Sequence, residues 1–289
     1  MVFLRDNMVM IRGDTTHPAE ASHPGETANL VTSDGVTLSA THLVGSGLDP
    51  FALCLVVAHG FTNGWRVPRV QRAMHRLGVF GGMIAIDFRG HGQSGGVSTV
   101  GEREIHDLDA GVRWARDLGY RKVVPVGFSM GGSVVLRQAA IGAEPVDAVV
   151  SVSAPAFWYY RGTRIMRLLH LAVGTRAGRA VMRARGVRIG SDDWPDPLPM
   201  EPVAAAAIID VPLLIVHGHI DHYFPIEHGK ALHRAAVNGA NPEAELWLVE
   251  GFAHAESGID DSTLDAIGTW VRSTCGLEQI GTPVGWGQS

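Results

Sequence analysis

The chain has 289 residues, 46% of them hydrophobic and 18% charged, with a formal net charge of -5. That length fits one large α/β domain with an insertion, or two small domains, and the composition supplies a sizeable core, which excludes a disordered chain. The acidic balance argues against a nucleic-acid partner, because a polyphosphate selects a basic surface.

In chain order, residues 1–27 read as an irregular segment, punctuated by Gly13, Pro18, Pro24 and Gly25. Arg5, Asp6 and Arg12 interrupt its apolar patches, so it lacks the h-region of a secretory signal. From Leu30 the pattern is strand, turn at Ser33–Gly35, strand, with Val36, Leu38 and Ala40 alternating with polar neighbours. Apolar runs predict buried strands over 53–58, 82–86, 122–126, 146–152 and 212–216, with a last strand over 245–249. Helical patterns fall near 67–78, 102–118, 130–141, 226–237 and 261–273. Continuous strands alternating with amphipathic helices imply a mainly parallel central sheet with helices on both faces, an α/β fold. No apolar run is long enough to span a bilayer. The two cysteines, Cys54 and Cys275, make no disulfide framework, so a reducing, cytoplasmic compartment is expected.

One stretch breaks the alternation. Residues 155–208 separate two strands by far more than a crossover needs, and are expected to form a helical cap or lid. The core is then 28–154 plus 209–275, with a C-terminal tail over 276–289.

Chemistry concentrates at Gly127-Phe128-Ser129-Met130-Gly131, which lies between a strand and a helix. This is G-x-S-x-G in its meaningful setting: a sharp turn lifts Ser129 Oγ above the sheet and needs glycine on both sides. The bland alternative is a glycine-rich turn with Ser129 as an N-cap. A serine nucleophile needs a base and an acid to orient it, in the chain order Ser, Asp, His. Asp221 follows the strand 212–216, and His254 follows the strand 245–249. Both sit just past strand carboxyl ends, where ligand chemistry collects in open parallel sheets.

Taken together, these motifs resemble the α/β-hydrolase superfamily of serine hydrolases, esterase/lipase and lysophospholipase-like in type, over about residues 28–275. His59-Gly60-Phe61 resembles the oxyanion-loop motif, which implies Phe61 and Met130 N–H groups as the oxyanion hole. Asp87 to Ser94 resembles a D-x-R-G-x-G-x-S loop of structural role. His217-Gly218…Asp221…Pro225 and Gly251…His254 resemble the acid and histidine loops. Gly60-Phe61-Thr62-Asn63 is similar to bacterial feruloyl-esterase-like and lysophospholipase-like proteins. The resemblance implies a triad of Ser129, Asp221 and His254, no cofactor and no metal. The substrate class it implies is a small-molecule ester of small or medium acyl length. Thioesterase and peptidase readings stay open on the same triad.

A rival motif overlaps the acid loop. His217, His219, Asp221 and His222 spell H-x-H-x-D-H, a zinc-hydrolase signature. It comes late in the chain and leaves Ser129 unexplained, so His219 and His222 are read as loop residues. His59, His91 and His106 are read as structural. Glu250 and Glu256 flank His254 but are poorly placed in sequence to orient its ring.

Within the expected cap, Ile165, Leu168, Leu169 and Ala172 form an i, i+3, i+4, i+7 face, and Phe157, Trp158 and Tyr159 are candidate substrate-binding residues. Residues 161–188 hold eight arginines and no acid. These read first as a solvated face, and second as a surface for an anionic group or anionic membrane without stable insertion. The assembly is expected to be a monomer or homodimer.

Overall fold

The computed structural model describes residues 2–4, 8–12, 26–45, 49–191 and 194–278. In chain order the elements are β1 (Val2–Leu4), β2 (Met8–Arg12), β3 (Glu26–Val31), β4 (Thr37–Leu43), β5 (Leu53–Ala58), α1 (Pro68–Leu77), β6 (Gly82–Ile86), α2 (Glu104–Asp117), β7 (Lys122–Phe128), α3 (Met130–Ile141), β8 (Val149–Val152), α4 (Arg164–Gly174), α5 (Arg176–Ala184), α6 (Pro202–Ala206), β9 (Leu213–Gly218), α7 (Glu227–Asn238), β10 (Glu245–Glu250), α8 (Ala255–Gly258) and α9 (Asp261–Thr274).

Continuous apolar runs become strands because both of their faces are covered. Every residue of β5, β6 and β9 is buried. On one side Val70, Ala73, Met74 and Leu77 of α1 join Leu264, Ile267 and Val271 of α9. On the other, Leu108 and Val112 of α2, Val134 and Leu136 of α3, and Leu232 of α7 form a second cluster. Burying each such side chain contributes roughly 1.5–3 kcal/mol. The sheet order is β1-β2-β10-β9-β8-β7-β5-β6-β4-β3. Strands β2, β10, β9, β8, β7, β5 and β6 run parallel, whereas β1, β4 and β3 each pair antiparallel. The mainly parallel α/β sheet predicted from the periodicity is what forms. From β5 the chain steps one way to β6 and the other way to β7, so the switch point lies between β5 and β7.

Three expectations need correction. The first 27 residues are not wholly irregular: β2 extends the sheet by pairing parallel with β10, from Met8 opposite Leu246 to Arg12 opposite Glu250. The punctuating glycines and prolines lie in 13–25, outside the described residues. The cap is also shorter than 155–208. Ala205 and Ala206 of α6 and Ile209 are buried in the α3–α7 cluster, so this alanine-rich turn belongs to the core. Finally, α4 forms where the periodicity placed a helix, but it buries Met166, while Leu168 on the expected face is 67% exposed. A two-helix hairpin that packs mainly on itself has a weaker inward face than a core helix. The expected tail lies outside the described residues beyond residue 278.

Candidate active site

Ser129 sits at the carboxyl end of β7, between φ 54° and ψ -112°, a strained conformation for a residue with a side chain. Sterics explain its neighbours. A Cβ on Gly127 would stand 2.2 Å from Gly131 O, and one on Gly131 would stand 2.1 Å from Ala58 O. The turn is held by Ser129 N–H, which donates to Val152 O on β8 at 2.8 Å. The first residue of α3, Met130, carries an N–H that has no partner within the helix.

Two loops from β9 and β10 reach the serine. His254 Nε2 lies 2.9 Å from Ser129 Oγ, and His254 Nδ1 lies 2.7 Å from Asp221 Oδ2. Asp221 is buried, and its Oδ1 accepts the N–H groups of Tyr223 (2.8 Å) and Phe224 (3.0 Å). A carboxylate held this way is an acceptor only, so Nδ1 carries the imidazole proton and Nε2 is free to accept from Ser129 O–H. The loop is braced by His217, which donates from Nε2 to Phe224 O at 2.9 Å.

The third loop follows β5. His59 is fully buried; its Nε2 accepts Phe88 N–H at 3.0 Å and its Nδ1 donates to Gly60 O at 2.8 Å. Burial pushes its pKa down to about 3, with neighbouring His91 adding to the effect, so it is a neutral brace. Phe61 N–H has no acceptor among the described residues. Asp87, as expected for a structural loop, accepts Trp65 N–H at 2.8 Å and Gln93 N–H at 3.1 Å. His91 is buried, and burial lowers its pKa. His106 lies toward the surface, with Nδ1 3.2 Å from Ser33 Oγ.

The residues of the zinc-type motif diverge. His217 is buried behind the acid loop, Asp221 faces His254, and His219 and His222 are exposed. Among the described residues no three His, Cys, Asp or Glu side chains are placed to share a metal.

The aromatic segment does not join the triad. Trp158 is 9% exposed, donates from Nε1 to Pro199 O at 3.0 Å and packs edge-on to Trp194, with the Arg137 guanidinium over its ring. Phe157 lines an open groove of about 420 Å³ with Ala231, Arg234, Ala235 and Asn238. Tyr159 is 58% exposed and leans on His170 and Trp194. The acid loop brings two aromatic rings to His254: Phe224 lies tilted to it at 5.8 Å, and Tyr223 stacks on its imidazole at 4.1 Å. Sequence reasoning missed Tyr223, although it lies two residues past Asp221. It named Glu256 only to set it aside as an orienter of His254, and did not foresee that Glu256 is buried with Oε1 accepting Gly60 N–H at 2.6 Å.

The cap is fastened at its ends. Thr163 Oγ1 caps α4 and donates to Tyr223 O at 3.1 Å, while Arg188 N–H donates to Gly90 O at 2.8 Å. Among the described residues none of the eight arginines pairs with a carboxylate; Arg167 and Arg179 reach backbone carbonyls instead.

A family model for the alpha/beta hydrolase family matches residues 55–266. Epoxide hydrolase A of Mycobacterium tuberculosis (strain ATCC 25618 / H37Rv) is 32% identical over 136 residues, 45% of this chain. The match spans only 39% of that relative's length. The Pyrococcus furiosus esterase Pf2001 superposes with a TM-score of 0.69 at 23% identity, covering 91% of this chain and 98% of that one. Est1E from Butyrivibrio proteoclasticus, solved with ferulic acid, gives 0.62 at 19% identity, covering 86% of this chain and all of that one. At such identities the structural likeness establishes the fold. The family match is broader in what it carries, running from β5 into α9 through the serine turn and both partner loops, and the chain belongs to the alpha/beta hydrolase family.

Proposed function

We propose that this protein hydrolyses carboxylic esters of small or medium acyl length through an acyl-enzyme on Ser129. The observation that carries the reading is the continuous hydrogen-bonded chain Ser129 Oγ–His254–Asp221, with each atom at a distance suited to proton transfer. As Ser129 Oγ attacks the acyl carbon, His254 Nε2 takes its proton. Asp221 stabilises the imidazolium so formed. The carbonyl oxygen gains negative charge and is met by Phe61 and Met130 N–H, the first turn of α3 adding its dipole. The imidazolium returns the proton to the leaving alkoxide. Water then attacks the acyl-serine by the same route and restores the enzyme. This chemistry calls for no metal or organic cofactor.

The epoxide hydrolase relative supports a second reading, opening of a strained ether. The residue at the turn argues against it. Attack by Ser129 on an epoxide carbon would leave an alkyl ether, with no carbonyl for water to attack or for the two N–H groups to stabilise. A thioester or an amide leaves the same acyl-serine as an ester, so these remain outcomes of one panel. Nitrophenyl esters of graded chain length, with a thioester, an anilide and an epoxide alongside, test the reading: ester turnover is expected to dominate. Turnover of the epoxide with none of the esters would overturn it.

Among the described residues no helix is long and apolar enough to cross a membrane. We propose that the exposed arginines of α4 and α5, on a hairpin tied to the acid loop through Thr163 and Tyr223, favour esters that carry negative charge.

A further inference from the structure

We infer that Glu256 is a positioning residue that locks the loop carrying Phe61 to the loop carrying His254, and so aims the oxyanion donor. This rests on the serine-hydrolase reading above and names a residue that serves the same site.

The geometry begins with one peptide plane. Phe61 N–H shares its plane with Gly60 C=O, and in a trans peptide the two point in opposite directions. Gly60 O accepts His59 Nδ1–H at 2.8 Å and Asn63 N–H at 3.1 Å. The carbonyl end of the plane is therefore fixed, which sets the direction of Phe61 N–H. The preceding plane is fixed by Glu256, whose Oε1 accepts Gly60 N–H at 2.6 Å. The Asn63 side chain also hydrogen-bonds the Glu256 carboxylate, and Asn63 Oδ1 accepts Arg69 Nε–H at 2.9 Å. One carboxylate thus holds both ends of the turn from Gly60 to Asn63, in which Thr62 takes a left-handed φ of 70°.

The other end of the lock is covalent. Glu256 lies two residues after His254, past Ala255, whose φ is 46° and whose N–H donates to Ser153 Oγ at 3.2 Å. The histidine loop is pinned on one side to β8 and on the other to the oxyanion loop. Glycine at position 60 is part of the fit, since a Cβ there would stand 3.1 Å from Glu256 Oε2.

A carboxylate is costly to place here. Glu256 is 2% exposed, and burial pushes its pKa up against the hydrogen bonds that pull it down. The titratable group that faces it is His254; His59 on the neighbouring loop is held neutral, and Arg69 reaches it only through Asn63. An apolar residue would fill the space at less cost and would leave Gly60 N–H unsatisfied. The hydrogen bond to the oxyanion loop is what the carboxylate supplies.

The test compares wild type, Glu256→Ala, Glu256→Gln and Gly60→Ala on a nitrophenyl ester, with rates normalised to sites titrated by a fluorophosphonate. A boronic acid, which binds as a tetrahedral adduct, reports the oxyanion hole separately. Glu256→Ala is expected to lower kcat by at least about tenfold with KM within about twofold, since small misplacements of a donor cost rate. Boronate affinity should weaken by a similar factor. Glu256→Gln keeps the acceptor for Gly60 N–H and should restore kcat to within about threefold of wild type. If Glu256→Ala does not fold, Gly60→Ala carries the test: its methyl group would stand 3.1 Å from Glu256 Oε2 and shift the carboxylate by a few tenths of an ångström, so kcat should fall by a smaller factor with KM again little changed, and an unchanged kcat there overturns the assignment. Full kcat in Glu256→Ala, or a loss that glutamine does not restore, overturns the assignment. Failure of the serine reading would look different: the wild-type protein itself would not be labelled at Ser129.

Discussion

The three loops that meet at Ser129 and the hairpin of α4 and α5 both rise from carboxyl ends of the sheet, but they are held on opposite terms. In the loops key polar groups have partners from another element: Ser129 N–H on β8, Asp221 Oδ2 on His254 Nδ1, Glu256 on Gly60. The hairpin is fastened at Thr163, Trp158 and Arg188 and leaves Leu168, Leu171 and Val181 more than half exposed between them. Chemistry that needs fixed distances sits where contacts over-determine the backbone. The hairpin, with apolar side chains left in solvent, is held by fewer contacts that would resist local opening.

The comparison can be broken at its stiffest point first. Asp221→Asn should leave the folded signal by circular dichroism unchanged and lower kcat by about a thousandfold or more, because an amide stabilises the wrong tautomer and no imidazolium. A modest loss would mean that Asp221 braces the loop without orienting His254. The two regions should next differ in stability. Trp158→Ala removes a buried ring that anchors the hairpin and should cost about 3 kcal/mol in denaturant unfolding, whereas Leu168→Ala should cost less than about 0.5 kcal/mol. Equal costs would show that the hairpin is packed as tightly as the core.

The arginines sharpen the contrast further. All 29 acidic residues lie outside 161–188, so the hairpin is a basic surface on an acidic chain. For an ester carrying a free carboxylate, kcat/KM should fall several-fold as ionic strength rises from about 0.01 to 0.3 M, while a neutral ester changes little, since exposed charges are screened over about 10 Å at 0.1 M salt. Parallel salt dependence for both esters would make the arginines a solvated face. The smallest effect is a linkage. The folded-state pKa of Glu256 is raised above its ordinary 4.5, so its contribution to stability is full below that value and is lost as pH rises through the folded pKa. Glu256→Gln should therefore raise Tm relative to wild type at pH 8, and the gain should shrink toward pH 4. A gain independent of pH would contradict the buried-charge account.

What could be read from the sequence follows the same division. The serine turn was legible because Gly127 and Gly131 are forced by contacts within a few residues and with the neighbouring strand. Asp221 and His254 were legible from chain order and their places after strands. Glu256 was not, because its partner Gly60 is 196 positions away and no periodicity links them. Tyr223 looked like one loop aromatic among several, and only the fold stacks it on His254. The hairpin misled for a related reason. Ile165, Leu168 and Ala172 spell as good a helical face as the one that forms around Met166, and only packing chooses between them. Strand β2 was hidden because its place is set by backbone pairing with β10, which side-chain patterns barely encode.

The central claim is that Ser129 is the nucleophile, and a fluorophosphonate probe followed by peptide mapping tests it most directly. The account predicts a single adduct on Ser129, absent in Ser129→Ala, with ester kcat lowered by at least about a thousandfold in that variant. An adduct on another serine, or near-normal turnover by Ser129→Ala, would contradict it.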